Sequence, residues 1–434
     1  MNLLSSKKLL LVITVIFSET ICLAQQNIAS FINGDALPDA PELSARGRFK
    51  VGVQTLELVH TQQVDILKSK NGTTPLYDRQ LKVEIWYPAI AGKKQTELVT
   101  YQSTLGLLND TTRPLIPYVL TGRAMRNASP DLSNGKFPLI IVSHGYPGNR
   151  FLLTYLTENL ASKGYVVVAI DHTESTYGDR AAFQSTLLNR PQDILFVLNQ
   201  MADLSKASST SFLAGLADAN NTALIGYSMG GYGVLNAAGA GYSKKLDTVF
   251  AQMTGGSKAI HVRSTGDAEF NASQDSRIKA VVAFAPWGMK LGVWDSTGLK
   301  GLKTPTFFIA GSLDDVSGYE DGIKAIYKGS INANRYLLTY QNARHNVAPN
   351  PPPAETLKPG VAFNEYYHYA EPAWNERRIN NINQHFVTAF IGIHLKKLEY
   401  GKFLSIPEQS YEKPWIGFKP RTSVGLELSH AVPQ

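Results

Sequence analysis

The stretch "ALIGYSMGGYG", residues 223–233, places a serine between glycines at the end of an apolar run. The run indicates a buried strand, and the "GGYGVLNAA" that follows the serine is compatible with a helix. This order of strand, turn and helix is what a Gly-x-Ser-x-Gly nucleophile elbow needs, because the serine must sit on a sharp turn. Gly226 and Gly230 fit the elbow, since side chains there would collide where strand and helix nearly touch. The stretch therefore predicts that Ser228 is a nucleophile on an α/β fold.

The rest of the chain alternates short apolar runs with segments of helical spacing. Six continuous apolar runs predict strands buried on both faces: 138–143, 166–171, 222–228, 279–285, 304–310 and 335–341. Two earlier runs, 49–58 and 81–89, alternate apolar with polar residues and predict an antiparallel edge. Helices are predicted over 151–164, 191–204 and 378–397. The predicted fold class is α/β, a mostly parallel eight-stranded sheet with helices on both faces.

Differences in composition along the chain predict its organisation. Residues 1–24 contain two lysines, an apolar run and a small-residue exit ending at Ala24, which predict a cleaved signal peptide and export to the periplasm or the medium. Residues 25–405 are predicted to form a single catalytic domain, and 406–434 a C-terminal surface tail. Two polar, turn-rich segments, about 91–135 and 242–277, are predicted to be insertions near the active site.

Composition excludes several classes of partner. The formal net charge of +7 is dispersed along the chain, so no concentrated basic face for nucleic acid is expected. After the predicted signal peptide, no apolar run approaches the roughly 20 residues of a membrane helix. The one cysteine, Cys22, lies in that peptide, so the 410 residues that remain after removal of 24 from 434 have neither a disulfide nor a thiol nucleophile. The sequence does not indicate an oligomeric state.

A reactive serine needs a base to take its proton and an acid to orient that base. On this fold the expected chain order is serine, acid, histidine. Two acids follow a predicted strand in "FFIAGSLDDVSG", residues 307–318, which favours Asp314 with Asp315 as the alternative. His345, at the exit of the last predicted strand, is the predicted base. The other histidines after the acids rank below it: His368, His385, His394 and His430.

The oxyanion that forms during attack on a carbonyl needs two backbone donors. The amide of Met229, directly after the serine, is one predicted donor. The amide of Tyr146, in the loop "SHGYPGN" over 143–149, is the other, and the Tyr146 ring is also predicted to contact substrate.

Two other clusters are given structural interpretations. His144, Asp171 and His172 lack metal-ligand spacing, so no metal and no cofactor are predicted. The aromatic segment "EYYHYAEPAW", residues 365–374, is predicted to form walls near the site rather than a carbohydrate platform.

In their order, "VSHGY", "GYSMGG", "GSLDD" and "RHN" resemble the motifs of secreted serine α/β-hydrolases. The resemblance is to the dienelactone-hydrolase-like group that includes platelet-activating-factor acetylhydrolases and cutinase-like polyester hydrolases. It spans roughly residues 45–400 and includes "VEIWYPA", "ENLASKGYVVVAIDH", "FAPWG" and "HFVTAFIGIHL". Dienelactone hydrolases themselves use a cysteine nucleophile, which residues 25–434 lack, so that group name does not indicate the substrate.

The resemblance implies an α/β-hydrolase fold and hydrolysis of a small-molecule carboxylic ester through an acyl-enzyme. It implies a triad of Ser228, Asp314 and His345, with the amides of Tyr146 and Met229 as the oxyanion hole. It further implies that Trp287, in "APWG", flanks the bound acyl or aromatic group. A lipase, an amidase or a peptidase with the same triad is the alternative enzyme, and a non-catalytic binding protein on a hydrolase scaffold is the alternative from another class.

Overall fold

A computed structural model describes residues 32–434, except 71–72, 94, 108–109, 111, 181–182, 412 and 414. The predicted signal peptide, 1–24, lies outside the described residues. Residues Asn33–Gln434 form one compact unit. Among the described residues, no helix is both long and apolar enough to cross a membrane.

Thirteen strands form within the described residues. They are β1 (Lys50–Val64), β2 (Leu76–Ile90), β3 (Val99–Leu105), β4 (Ile116–Gly122), β5 (Met125–Arg126), β6 (Ser129–Pro130), β7 (Phe137–Ser143), β8 (Val166–Asp171), β9 (Ala217–Tyr227), β10 (Ile278–Phe284), β11 (Thr306–Gly311), β12 (Arg335–Tyr340) and β13 (Leu426–Ala431).

Nine α-helices connect and cover these strands within the described residues. They are α1 (Thr154–Ser162), α2 (Phe183–Leu204), α3 (Met229–Ala237), α4 (Lys244–Met253), α5 (Ala268–Ala272), α6 (Ser296–Lys300), α7 (Lys324–Gly329), α8 (Phe363–Tyr367) and α9 (Glu376–Lys396).

The main sheet has the strand order β13-β12-β11-β10-β9-β7-β8-β2-β1-β5, with β6 paired to β2. The six strands from β12 to β8 in this order pair in parallel, whereas β8 with β2, β2 with β1, and β12 with β13 pair antiparallel. Helices cover both faces. Neighbouring side chains of β11 point to opposite faces, and Phe307 packs on Phe390 of α9 at 5.4 Å while Phe308 packs on Tyr327 of α7 at 6.2 Å.

The predicted α/β fold class is confirmed, but the predicted number of strands is wrong. All eight predicted strands are present, and three more extend the main sheet to eleven. Strands β5 and β6 have two residues each, too few to show an apolar pattern. Strand β13 lies in the segment 406–434, which was predicted to be a surface tail. Within that segment Leu426–Ala431 belong to the sheet, because β13 pairs with β12 along six residues and buries Leu426 and Leu428.

Helix α2 begins eight residues before the predicted start at Pro191. A proline inside a helix has no N–H to donate to the carbonyl four residues earlier. Here that carbonyl belongs to Leu187, and it accepts a hydrogen bond of 2.8 Å from the Tyr232 hydroxyl of α3. A tertiary contact thus replaces the missing backbone bond and lets the helix continue through Pro191.

The two predicted insertions contain regular structure. Residues 91–135 include β3 and β4, which pair as a separate two-stranded sheet. Two hydrogen bonds of the Tyr101 hydroxyl connect this pair of strands to α1 and β2. The hydroxyl donates to Glu158 of α1 at 2.5 Å and accepts from Trp86 of β2 at 2.8 Å. Residues 242–277 include α4 and α5, and the side chains of Ser243 and Asp267 cap the amino-terminal ends of these helices.

We predict that buried His385 makes folding stability fall with acidification. Burial and the nearby Lys163 charge lower the pKa of His385 to about 3, and its Nδ1 accepts from the Leu43 amide at 3.1 Å. The folded state keeps the ring neutral below pH 6.5, where the unfolded chain takes up a proton, so stability decreases as pH falls through this window. Between pH 7 and pH 5 this single group costs about 2 kcal/mol.

Guanidinium denaturation at both pH values measures this effect. In His385→Asn the amide oxygen replaces the Nδ1 acceptor without titrating, so we expect the loss between pH 7 and pH 5 to be about 2 kcal/mol smaller than in the wild type. The other buried histidines are the same in the wild type and in His385→Asn, so they do not contribute to the difference between the two. Identical pH dependence in both would contradict the assignment.

Candidate active site

Ser228 lies on the sharp turn between β9 and α3. Its φ of 53° and ψ of −113° put a non-glycine residue in a strained backbone conformation. Glycines make the turn possible, because a Cβ at Gly226 would lie 2.2 Å from the carbonyl oxygen of Gly230. A Cβ at Gly230 would lie 1.9 Å from the carbonyl oxygen of Ser143, at the end of β7. The elbow is therefore built at the close approach of three main-chain segments.

His345 follows β12 and lies between the serine and an acid. Its Nε2 is 2.9 Å from Ser228 Oγ, and its Nδ1 is 2.8 Å from Asp314 Oδ2. Ser228 is 7% exposed, His345 8% and Asp314 5%, so water competes little for these hydrogen bonds. The Tyr227 ring packs 5.3 Å from the imidazole and limits its movement.

The two adjacent acids have different partners. Asp314 Oδ1 accepts from the amides of Val316 at 2.9 Å and Ser317 at 2.7 Å, which leaves Oδ2 directed at His345. Asp315 is exposed and forms an ion pair with Arg344. Of the two candidates predicted from the sequence, the structure brings Asp314 to the histidine and directs Asp315 away from it.

The predicted oxyanion donors lie on both sides of the serine. Met229 is the first residue of α3, where a helix leaves its amide without a partner inside the helix. Across from it, a Cβ at Gly145 would lie 3.5 Å from the Ser228 Cβ, so the Gly145–Tyr146 peptide is next to the nucleophile. The Tyr146 ring lines the cavity above Ser228 and packs on Phe183 at 5.3 Å.

A cavity of about 410 Å³ opens onto Ser228 and His345. Besides Ser228 and His345, most of its described wall comes from three groups of residues: Gly106, Leu107 and Asp110 of the first insertion; Tyr146, Pro147 and Tyr177; and Asn364, Tyr367 and His368. The second insertion, 242–277, was predicted to be near the site but supplies no described wall residue. Its helix α5 instead lines a separate cavity together with the end of α3 and the start of β10.

Trp287 is also absent from the described wall of this cavity. Its ring packs on Phe183 at 5.1 Å and on Tyr232 at 6.2 Å, and its amide donates to the Ser228 carbonyl at 3.1 Å. That Trp287 flanks the substrate stays a prediction; its observed contact is with the elbow backbone.

Several residues at the site were not predicted as site residues. The Tyr227 hydroxyl donates to Asn346 Oδ1 at 3.0 Å, and the Asn346 amide donates to the Ala370 carbonyl at 3.0 Å. These bonds tie the histidine loop to the elbow. Their only sequence signal is position: Tyr227 precedes the serine and Asn346 follows the histidine.

His368 lines the cavity, although the sequence ranked it below His345. Burial and the adjacent His345 lower the pKa of His368 to about 4, so it is neutral near pH 7. The aromatic segment 365–374 that contains it does serve as a wall, as predicted, through Tyr367 and His368. The remaining candidates lie elsewhere: His385 and His394 are in α9 and His430 is in β13.

The side chains of His144, Asp171 and His172, for which no metal is predicted, each bind another group of this chain. Asp171 pairs with Arg150, His172 Nδ1 is 2.9 Å from Asp193 Oδ2, and His144 Nδ1 is 2.6 Å from the Gly145 carbonyl. Within the described part of the chain, no group of three or more His, Cys, Asp or Glu residues is arranged to hold a metal ion.

Comparisons with known proteins find relatives among ester hydrolases. Residues 127–252 match the PET hydrolase-like family, a range that includes Tyr146 and Ser228 and ends before Asp314 and His345. Cutinase est2 of Thermobifida alba is 32% identical over 218 residues, which cover 50% of this chain and 55% of that protein. Cutinase est1 of the same organism is 25% identical over 218 residues, covering 50% of this chain and 56% of that protein. The chain thus spans little more than half the length of these curated relatives.

Among solved structures, a ferulic acid esterase from Streptomyces cinnamoneus aligns with a TM-score of 0.57 and 19% identity. The alignment covers 90% of this chain and 99% of that chain. This likeness, together with the sheet order, shows that the chain has the α/β-hydrolase fold. The sequence matches confirm the predicted resemblance to the group that includes cutinase-like polyester hydrolases.

We predict that Gly230→Ala destabilises the fold strongly. The new Cβ must displace the end of β7, and overpacking of main chain against side chain costs about 3 kcal/mol. Gly401→Ala is the matched control, because a Cβ there meets no atom within 4 Å. Denaturant unfolding of both variants measures the difference. Equal stability of the two would show that the elbow and β7 are not in close backbone contact.

Proposed function

We propose that the chain is an exported serine hydrolase that cleaves carboxylic esters through an acyl-enzyme, with Ser228, His345 and Asp314 as its triad. The observation that carries the proposal is the His345 ring, whose two nitrogens lie 2.9 Å from Ser228 Oγ and 2.8 Å from Asp314 Oδ2 at the floor of a cavity. The matches to cutinases and to a ferulic acid esterase support the same chemistry.

In the first half of the reaction, Ser228 Oγ attacks the ester carbonyl carbon while His345 Nε2 takes the hydroxyl proton. Asp314 accepts the Nδ1–H bond and stabilises the imidazolium that forms. The carbonyl oxygen becomes an oxyanion between the amides of Met229 and Tyr146. When this intermediate collapses, the bond to the alcohol oxygen breaks and His345 returns the proton to the leaving alcohol.

In the second half, water attacks the acyl group on Ser228, and His345 Nε2 takes a proton from that water. The same two amides hold the second oxyanion. Collapse breaks the bond to Ser228 Oγ, releases the carboxylic acid and returns the proton to the serine. No group outside the chain is needed for this cycle, so the proposal involves no cofactor.

The cavity favours a small-molecule ester over a solid polymer. Its volume of about 410 Å³ is at the lower end of typical small-ligand sites. The walls around the nucleophile include Gly106, Leu107 and Asp110 on one side and Asn364, Tyr367 and His368 on another. Tyrosines 146, 177, 227 and 367 contribute to these walls. We therefore propose a short or aromatic acyl group, with the Tyr146 ring in contact with it. Export is proposed from the predicted signal peptide, residues 1–24.

We predict that Ser228→Ala removes turnover of p-nitrophenyl esters and labelling by a fluorophosphonate probe, because both need the serine oxygen. Turnover and labelling in the wild type alone are the expected result. Wild-type-like hydrolysis by Ser228→Ala would contradict the assigned nucleophile. An acyl series from acetyl to palmitoyl, with methyl ferulate as an aromatic ester, separates the proposed substrate from that of a lipase, which would prefer the long chains.

We predict that Asp314→Asn lowers kcat by about 10⁴-fold, as expected when the acid no longer holds the correct histidine tautomer. Asp315→Asn is the matched control. Asp315 lies at the cavity wall, but its carboxylate pairs with Arg344 and not with His345, so kcat is expected to stay within about twofold of the wild type. Steady-state kinetics of the two variants on one ester decide between them. The reverse pattern would make Asp315 the triad acid.

A further inference from the structure

The loop that follows β7 is held by an unusual hydrogen bond from His144 to its own neighbour. His144 is buried, and its Nδ1 lies 2.6 Å from the Gly145 carbonyl oxygen. Its other ring nitrogen, Nε2, accepts from the main-chain amide of His172 at 3.2 Å. Because a main-chain amide can only donate, Nε2 must carry the lone pair and Nδ1 the proton. The ring therefore donates Nδ1–H to the Gly145 carbonyl.

The Gly145 carbonyl belongs to the same peptide group as the Tyr146 amide. A trans peptide is planar, and its C=O and N–H point in opposite directions. A hydrogen bond that fixes the carbonyl on one side therefore fixes the direction of the N–H on the other. This peptide lies next to the nucleophile, since a Cβ at Gly145 would be 3.5 Å from the Ser228 Cβ.

We propose that His144 is a positioning residue of the oxyanion hole: its Nδ1–H holds the Gly145 carbonyl so that the Tyr146 amide stays directed at the oxyanion formed on Ser228. The inference rests on the proposed ester hydrolysis and assigns a function to a residue outside the triad. His144 itself touches neither substrate nor the reacting atoms.

Contacts behind the loop keep His144 in this position. Arg190 of α2 donates to the His144 carbonyl at 2.5 Å, and the Gly148 amide donates to the Ser175 carbonyl at 3.1 Å. Gly148 also leaves room for the ring, because a Cβ there would lie 2.7 Å from His144 Nδ1 and 3.0 Å from the Gly145 oxygen. Burial and the charge of Arg190 hold the pKa of His144 well below its usual value, which keeps Nε2 free to accept.

The His172 main-chain amide sets the tautomer of His144, and the His172 side chain is held by a network of buried hydrogen bonds. His172 Nε2 is 2.9 Å from Ser143 Oγ, and its Nδ1 is 2.9 Å from Asp193 Oδ2. Arg79 donates to both Asp193 oxygens, at 2.8 and 3.0 Å. Burial alone would raise the pKa of the Asp193 carboxyl, but Arg79 and His172 outweigh it and lower that pKa, so the anion persists. The His172 main chain is thereby held against His144.

Two nearly isosteric variants separate positioning from packing. Asparagine places its amide nitrogen close to where Nδ1 lies, so His144→Asn can still donate to Gly145. Glutamine places its amide where Nε2 lies, so His144→Gln keeps the contact with His172 and loses the bond to Gly145. On a p-nitrophenyl ester, we expect kcat to fall about 100-fold in His144→Gln and to stay within about 10-fold of the wild type in His144→Asn. KM is expected to change less than about threefold in both.

Gly148→Ala tests the hydrogen bond from His144 Nδ1 to the Gly145 carbonyl with His144 intact. If His144→Gln loses its cooperative unfolding transition and is therefore misfolded, Gly148→Ala provides the test instead. Its Cβ displaces Nδ1 from the Gly145 carbonyl, so a loss in kcat at unchanged KM is expected. Equal kcat in the Asn and Gln variants, or a change in KM alone, would overturn the inference. Ser228→Ala in the same assays distinguishes the failure of the premise: if the wild type shows no serine-dependent turnover, the proposed function fails and the positioning role fails with it.

Discussion

The site depends on the close approach of backbone between the elbow and the end of β7. The space between Gly230 and the Ser143 carbonyl is too small for a methyl group, and so is that between Gly226 and Gly230. This contact places the first turn of α3 against the loop that follows β7, and it forces Ser228 to a positive φ. Main-chain bonds hold the strained residue, since the Ser228 amide donates to Phe284 at 2.9 Å and its carbonyl accepts from Trp287 at 3.1 Å. Ser228 and the loop after β7 are adjacent because no side chain occupies the contact between the elbow glycines and the Ser143 carbonyl.

Most of the fold could be predicted because a buried parallel strand is a local signal. Each of the eight predicted strands is a run whose apolar residues the sheet buries on one or both faces. The missed strands of the main sheet have no such signal: β5 and β6 are two residues long, and β13 obtains its structure from pairing with β12. The start of α2 was missed for a related reason. Pro191 indicates a helix start locally, and only the Tyr232 hydroxyl, 41 positions later in the chain, satisfies the carbonyl that the proline leaves open.

The chemical residues of the site could be predicted more fully than its walls. Ser228 and His345 are marked by a motif and by strand ends, which sequence order preserves. The sequence favours Asp314 but leaves Asp315 as an alternative, because adjacent loop residues point in different directions. The amides of Val316 and Ser317 decide which acid faces the histidine. The wall residues Gly106, Leu107 and Asp110 lie far along the chain from the wall residues Asn364, Tyr367 and His368, and no periodic pattern links the two groups. The role predicted for Trp287 came from the resemblance alone, and its ring packs against Phe183 beside the cavity.

The described residues contain two hydrogen-bonded series of serine, histidine and aspartate, and their distances do not tell them apart. Ser143, His172 and Asp193 are joined at 2.9 and 2.9 Å, against 2.9 and 2.8 Å for Ser228, His345 and Asp314. The surroundings differ. Ser143 ends a regular strand and is fully buried, whereas Ser228 sits on a strained turn at a cavity. Burial and Arg190 lower the pKa of His172 to about 3, so the imidazolium that a general base must become is unfavourable there. Hydrogen-bond geometry alone therefore does not make a nucleophile; access for a substrate and a site that tolerates the charged histidine are also required.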